Sequence, residues 1–80
     1  MIHITFEEMI KTELNDILNN YSSGYHKYYH KNDDDNKYYE IIELDLLRGR
    51  FTTEDRDFFE FEWELKESNI YMEEYNRVHL

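Results

Sequence analysis

The sequence predicts an α+β fold in which an N-terminal amphipathic helix packs on a three- or four-stranded antiparallel sheet. Three patterns predict it: a capped helical segment in the first twenty residues, an acidic loop between two aromatic-rich segments, and strict apolar–charged alternation at 58–66. We expect a single domain, 1–80, because so short a chain cannot assemble a second hydrophobic core.

The first element has a clear helix start. Thr5 and Glu8 are spaced as a capping box, in which each side chain bonds the backbone amide of the other residue, and Ile4 and Met9 are spaced as a hydrophobic staple. A stretch rich in Asn, Ser and Gly after residue 18 ends the helix. We expect its apolar stripe to be one face of the core, and a groove-binding helix is the alternative. The stripe consists of Phe6, Met9, Ile10, Leu14, Ile17, Leu18 and Tyr21.

Two aromatic-rich segments, 25–31 and 38–47, flank a cluster of Asn and Asp residues at 32–36. This arrangement is typical of a β-hairpin with a polar loop. The alternatives are an irregular first arm and a helical second arm. A strand over the second arm carries Ile42, Leu44 and Leu46 on one face and Glu43 and Asp45 on the other.

The strongest strand pattern lies at 58–66, where large apolar residues alternate with charged ones. We expect the helix stripe to cover the apolar face of this strand. Residues 48–55 are predicted as a connection, and 70–78 as a last strand, for which a short helix capped by Ser68 is the alternative. The apolar face carries Phe59, Phe61, Trp63 and Leu65, and the charged face carries Glu60, Glu62, Glu64 and Lys66.

The charge balance restricts the function. Nineteen acidic residues against nine Lys and Arg give a formal net charge of −10, which disfavours direct binding to nucleic acid or to an anionic membrane. There is no cysteine, no secretory signal pattern and no long apolar run. We therefore expect a cytoplasmic protein without disulfides or membrane spans.

Neither metal chemistry nor catalysis is indicated. An EF-hand frame that begins at Asn32 fails because Lys37 stands where the loop requires glycine. His26 and His30 have the spacing of a helical zinc pair, but their segment lacks the glutamate of a metalloprotease motif and reads as extended. No phosphate loop or nucleophile motif is present. We expect a protein that is not an enzyme and uses no metal or cofactor.

The acidic residues themselves are the candidate site. The segment 40–74 holds twelve acids and four bases, and thus −8 of the total charge. In a strand, Glu60, Glu62 and Glu64 recur about every 6.8 Å on one face, although a solvated strand face is the plain alternative. Tyrosine doublets add surface of the kind favoured at interfaces. The candidate partner-binding residues are Glu60, Glu62, Glu64, Glu43, Asp45, Glu40, Asp33, Asp34, Asp35, Tyr38 and Tyr39.

In size and composition the chain resembles the small acidic proteins that phages and other viruses make against host defence, which include anti-CRISPR proteins and other DNA mimics. The residues that carry this resemblance are the acid-rich strand 57–65 and the loop 33–35. It implies an inhibitor, acting in the host cell, that occupies the basic surface of a nucleic-acid-binding protein such as a CRISPR effector or a nuclease. The alternatives are an immunity protein or antitoxin that neutralises a basic toxin, and a homo-oligomeric structural protein such as an edge-paired homodimer.

Overall fold

The computed structural model describes residues 1–22 and 24–76 of the chain, and for Glu67 the backbone alone. Its strands form a six-stranded antiparallel sheet in the order β1-β6-β2-β3-β4-β5. The α+β class is thereby confirmed, but the sheet has more strands than predicted. The elements are β1 (Ile2–Ile4), α1 (Phe6–Leu18), β2 (Tyr25–Lys31), β3 (Tyr38–Asp45), β4 (Arg50–Glu54), β5 (Glu60–Glu64), a 3₁₀ turn (Leu65–Glu67) and β6 (Ile70–Tyr75).

The helix begins where the sequence predicts. The Thr5 amide donates to Glu8 Oε1 and the Glu8 amide donates to Thr5 Oγ1, each at 3.1 Å. Ile4 and Met9 lie in one core cluster with Tyr28 and Ile70. The capping box and the staple are therefore both present, and they fix the angle at which the chain leaves β1 and enters the helix.

The helix covers a different part of the sheet from the one predicted. Its buried residue Met9 packs on β1, β2 and β6, whereas β5 lies at the opposite end of the sheet. The second half of α1 turns Asp16 inward, where Oδ2 accepts from the His26 amide at 3.0 Å and lies 2.8 Å from His26 Nδ1. Three apolar residues in this half of the stripe are at least half exposed, whereas Phe6 and Ile10 pack against the core cluster. The three exposed residues are Leu14, Ile17 and Leu18.

Two strands, β1 and β4, are absent from the sequence prediction. The segment 50–54, predicted as part of a connection, is a strand between β3 and β5, and its inward residues Phe51 and Thr53 are almost fully buried. Two threonines in a short segment read as polar, but Thr is a strong strand former. The predicted last strand is confirmed over Ile70–Tyr75, and its final residues, 77 and 78, lie outside the described part of the chain.

A β-bulge in β3 changes which of its residues face the core. The register with β4 shifts between Ile41 and Glu43, so Ile41 and Leu44 both pack against the core cluster. Ile42, within the bulge, is exposed, and so is Leu46, which follows the strand. The prediction that Ile42, Leu44 and Leu46 share one face of a strand is therefore wrong, because an inserted residue reverses the alternation along the strand.

An aromatic cluster, and not the helix, packs against the apolar side chains of β5. The ring of His30 lies 4.4 Å from Trp63 between centroids, and Tyr39 lies 5.7 Å from Phe61. Trp63 Nε1 donates to Thr53 Oγ1 at 2.7 Å. The sheet thus has two packed regions on its helix side, one under α1 and one built from side chains of the sheet itself. Within the described residues, no helix is long and apolar enough to span a membrane.

Candidate partner-binding face

The acids of three neighbouring strands share the side of the sheet that α1 does not cover. Glu60, Glu62 and Glu64 lie opposite β4 residues Glu54, Thr52 and Arg50, which in turn lie opposite Glu40, Glu43 and Asp45 of β3. Paired residues in antiparallel strands point to the same side, and Phe61 and Trp63 point to the other. We call this surface the acidic face; its carboxylates are Glu40, Glu43, Asp45, Glu54, Glu60, Glu62 and Glu64.

The bulge in β3 assembles part of this face. Glu40 and Glu43 are three residues apart, a spacing that places them on opposite sides of a regular strand. With the inserted residue at Ile42, Glu40 pairs with Glu54 and Glu43 pairs with Thr52, so both carboxylates lie on the acidic face. Alternation along the sequence does not reveal this placement.

One end of the acidic face holds a row of like charges. Glu40, Glu54 and Glu60 lie directly opposite one another across three strands. Lys27 Nζ lies 3.6 Å from a carboxylate oxygen of Glu40. Within the described part of the chain, neither Glu54 nor Glu60 forms an ion pair. Because like charges directly opposite destabilise a sheet, this row works against folding.

The other end of the face is partly neutralised. The Arg50 guanidinium lies 2.8 Å from Glu62 and 3.4 Å from Glu64, and the hydrogen bond to Glu62 raises the pKa of Arg50 further above its ordinary value. These side chains are about half exposed or more, so each pair adds little to stability. A pocket of about 180 Å³ adjoins them. It is lined by Glu43, Asp45, Arg48, Arg50, Phe51, Thr52 and Glu62.

Tyrosines occupy the same side of the sheet on β2 and β6. The rings of Tyr25 and Tyr75 stack with centroids 5.5 Å apart, the hydroxyls of Tyr29 and Tyr75 lie 3.2 Å apart, and Lys27 Nζ lies 4.8 Å from the centre of the Tyr75 ring. Tyr38 meets Tyr71 edge to face at 5.2 Å. The helix-free side therefore has an aromatic half beside its acidic half.

Strand alternation splits both tyrosine doublets. Tyr29 and Tyr38 lie on the helix-free side, whereas Tyr28 is buried under the helix. Tyr39, a candidate binding residue, lies on the helix side against Phe61 and Trp63. The structure therefore places Tyr38 beside the acidic candidates and separates Tyr39 from them.

The acidic loop lies beyond the ends of β2 and β3 and not on the acidic face. The Asn32 side chain accepts from the Asp34 amide at 3.0 Å, and Asp35 accepts from the Lys37 amide at 3.0 Å and from the Tyr39 hydroxyl. The hydrogen bond from Tyr39, followed by that from Lys37, lowers the pKa of Asp35. Among the described residues, no three His, Asp or Glu side chains are grouped so as to hold a metal ion.

A cleft of about 490 Å³ opens beside the helix, where β2 and β3 diverge. The pairing of these strands covers Tyr29–Lys31 and Tyr38–Glu40, and beyond it each strand continues with its other neighbour. The walls carry both tyrosines and carboxylates, among them Tyr21, Tyr25, Glu13 and Glu43.

Comparison with known proteins adds no relatives from which a function can be transferred. No protein-family model, curated protein or solved structure matches the chain at a significant level. A functional conclusion therefore rests on the residues of the chain and their geometry.

Proposed function

We propose that this protein is a non-enzymatic inhibitor whose acidic face binds the basic, nucleic-acid-binding surface of another protein in the cytoplasm. The observation that carries the proposal is the row formed by Glu40, Glu54 and Glu60, in which carboxylates oppose one another on an open sheet. An arrangement that costs stability in the free protein is useful when a positive surface neutralises it in a complex.

The spacing of the carboxylates supports a phosphate-like role. Carboxylates repeat about 6.8 Å along a strand and about 4.8 Å between strands. One DNA strand presents a phosphate about every 3.4 Å of helix axis, so a ladder such as Glu60, Glu62 and Glu64 corresponds to every second phosphate. Carboxylates on a rigid sheet accept charge-assisted hydrogen bonds from Arg and Lys, as phosphates do.

Charge reversal on the face tests the proposal. The protein is immobilised and exposed to nuclease-treated bacterial lysate, and retained proteins are eluted with double-stranded DNA and then with salt. We expect the wild type to retain a basic protein that DNA releases, because both compete for one surface. The Glu60→Lys/Glu62→Lys variant should bind the recovered protein at least about 10-fold more weakly.

A second double variant controls for net charge. Glu7 and Glu74 are exposed residues on the helix and on the helix side of β6, and Glu7→Lys/Glu74→Lys changes the total charge by the same amount. This variant should bind like the wild type. Equal binding by Glu60→Lys/Glu62→Lys would show that the acidic face is not the contact, and a partner released by denaturant but not by DNA would indicate an immunity-type complex.

A further inference from the structure

Among the strands that the structure describes, β5 forms one edge of the sheet. Its outward-facing backbone groups belong to the same residues that carry the carboxylates of the acidic face. The Leu65 amide donates to the Gly49 carbonyl and the Asp55 amide donates to the Phe59 carbonyl. In an antiparallel pair, hydrogen-bonded residues alternate with unbonded ones, so within β5 the residues bonded to β4 are Phe61 and Trp63. The outward amides and carbonyls are those of Glu60, Glu62 and Glu64.

The same three residues thus offer main-chain hydrogen bonds at the edge and carboxylates on the acidic face. A strand added to this edge would pair its backbone with theirs, and its paired side chains would stand about 5 Å from the carboxylates on the same side of the sheet. Its intervening side chains would lie on the other side, near Phe61 and Phe59. Both phenylalanines are exposed.

A second copy of this chain is a poor occupant of the edge. Antiparallel pairing of β5 with itself about Glu62 would set carboxylate against carboxylate at positions 60, 62 and 64, which destabilises the pairing. Charge complementarity requires the opposite sequence. The matching segment carries Lys or Arg at every second residue and apolar side chains between them.

We propose that the β5 edge binds an extended segment of the partner protein, in which basic and apolar residues alternate, by strand addition. This inference rests on the proposed function and adds to it the geometry of docking, since main-chain pairing with Glu60, Glu62 and Glu64 fixes the register of the basic residues. An inhibitor that attracts its partner by charge alone would, by contrast, bind any basic surface of suitable shape.

Two synthetic peptides of equal composition test the geometry. One has the sequence Val-Arg-Val-Arg-Val-Arg-Val, and the other places its three arginines consecutively. We expect the alternating peptide to bind the protein at least about 10-fold more tightly by calorimetry, because it alone satisfies both faces of an added strand. In amide exchange, the amides of Glu60, Glu62 and Glu64 should gain protection. Equal affinities, or no binding by either peptide, would overturn strand addition.

A proline substitution removes one of the outward-facing backbone amides to which an added strand would bond. Proline is tolerated in an edge strand where its nitrogen faces solvent, so Glu62→Pro should leave β4–β5 pairing intact, as checked by circular dichroism. Glu62→Ala removes the same carboxylate and keeps the amide. We expect Glu62→Pro to bind the alternating peptide at least about 3-fold more weakly than Glu62→Ala.

The outcomes separate the two proposals. If Glu62→Pro and Glu62→Ala bind alike while Glu60→Lys/Glu62→Lys loses the basic target protein, the acidic face is the contact and strand addition is wrong. If charge reversal leaves binding of that target unchanged, the proposed function itself fails.

Discussion

His30 is a titratable side chain buried in the aromatic cluster of the sheet. It is 7% exposed, and its ring centroid lies 4.4 Å from that of Trp63 and 5.3 Å from that of Phe51. Its Nδ1 has no hydrogen-bond partner among the described residues. Burial lowers the pKa of His30, while the negative charges of Asp33 and Asp35 act in the opposite direction. The neutral imidazole is therefore the form that packs in the folded protein.

This burial predicts a pH dependence of stability. The pKa of His30 in the folded protein lies below its ordinary value of 6.5, so below that pH the unfolded chain binds a proton that the folded protein does not, and stability falls as pH falls. We expect His30→Phe to remove this contribution. Urea unfolding at about pH 7.5 and about pH 5.5 should show the wild type losing free energy of unfolding relative to the variant.

The other histidines are common to both proteins, so comparison of the two pH dependences isolates His30. Parallel curves for wild type and His30→Phe would contradict the prediction. A direct NMR titration of the His30 ring in the folded wild type should give a midpoint below 6.5, the ordinary value of the group.

Among the described residues, strands β3, β4 and β5 carry carboxylates with and without an ion-pair partner. Glu62 is held by Arg50 at 2.8 Å, whereas Glu54 stands between Glu40 and Glu60 in the row of like charges. Neutralising the two positions should therefore affect the stability of the free protein differently.

We expect Glu54→Gln to raise the free energy of unfolding by about 0.2–1 kcal/mol, the range for a like-charge cross-strand pair. The matched variant Glu62→Gln should lower it slightly or leave it unchanged, because it removes an exposed ion pair. Both are measured by urea denaturation. If Glu54→Gln also weakens binding to the target, the row of like charges lowers stability and contributes to binding. If Glu54→Gln instead lowers the free energy of unfolding, the row is not repulsive.

Local signals in the sequence predict some of these elements, but not how they combine. The capping box of Thr5 and Glu8 and the alternation of Glu60, Glu62 and Glu64 depend on neighbours in the chain, and the structure has both. Insertion of β6 between β1 and β2 depends on distant pairing. That insertion places α1 over β1, β2 and β6. The prediction that the helix covers the strand face with Phe61 and Trp63 is therefore wrong.

The candidate site likewise has residues that local patterns predict and residues whose placement depends on distant strand pairing. Glu54 is missing from the predicted site because it lies in a segment read as a connection, and its place in the row follows from β4 pairing on both sides. Glu40 and Glu43 share a face by virtue of a bulge that no periodicity reveals. Alternation in β5 does predict that its three glutamates share one side of the strand.

The stability of the whole molecule depends on a small hydrophobic core and a large net charge, which act in opposite directions. Five hydrophobic side chains are buried among the described residues, and the chain carries a formal net charge of −10. A domain of this size is marginally stable, and its self-repulsion acts against the compact state. The charge that destabilises the free protein is also the charge that attracts a basic partner. Screening by salt should therefore raise the stability of the free protein and lower its affinity for the partner.

We expect the melting temperature to rise by several degrees when the NaCl concentration is raised from about 0.01 M to about 1 M. This increase shortens the Debye length from about 30 Å to about 3 Å. A gain of about 1 kcal/mol in stability corresponds to about 4–8 °C in a domain of this size. The same increase in NaCl should weaken the complex with the basic target. Calorimetry of the free protein and a binding titration measure the two effects, and Glu54→Gln/Glu60→Gln should show a smaller salt dependence in both. A complex that tightens with salt would instead indicate an apolar contact, and would contradict the assignment of the acidic face as the binding surface.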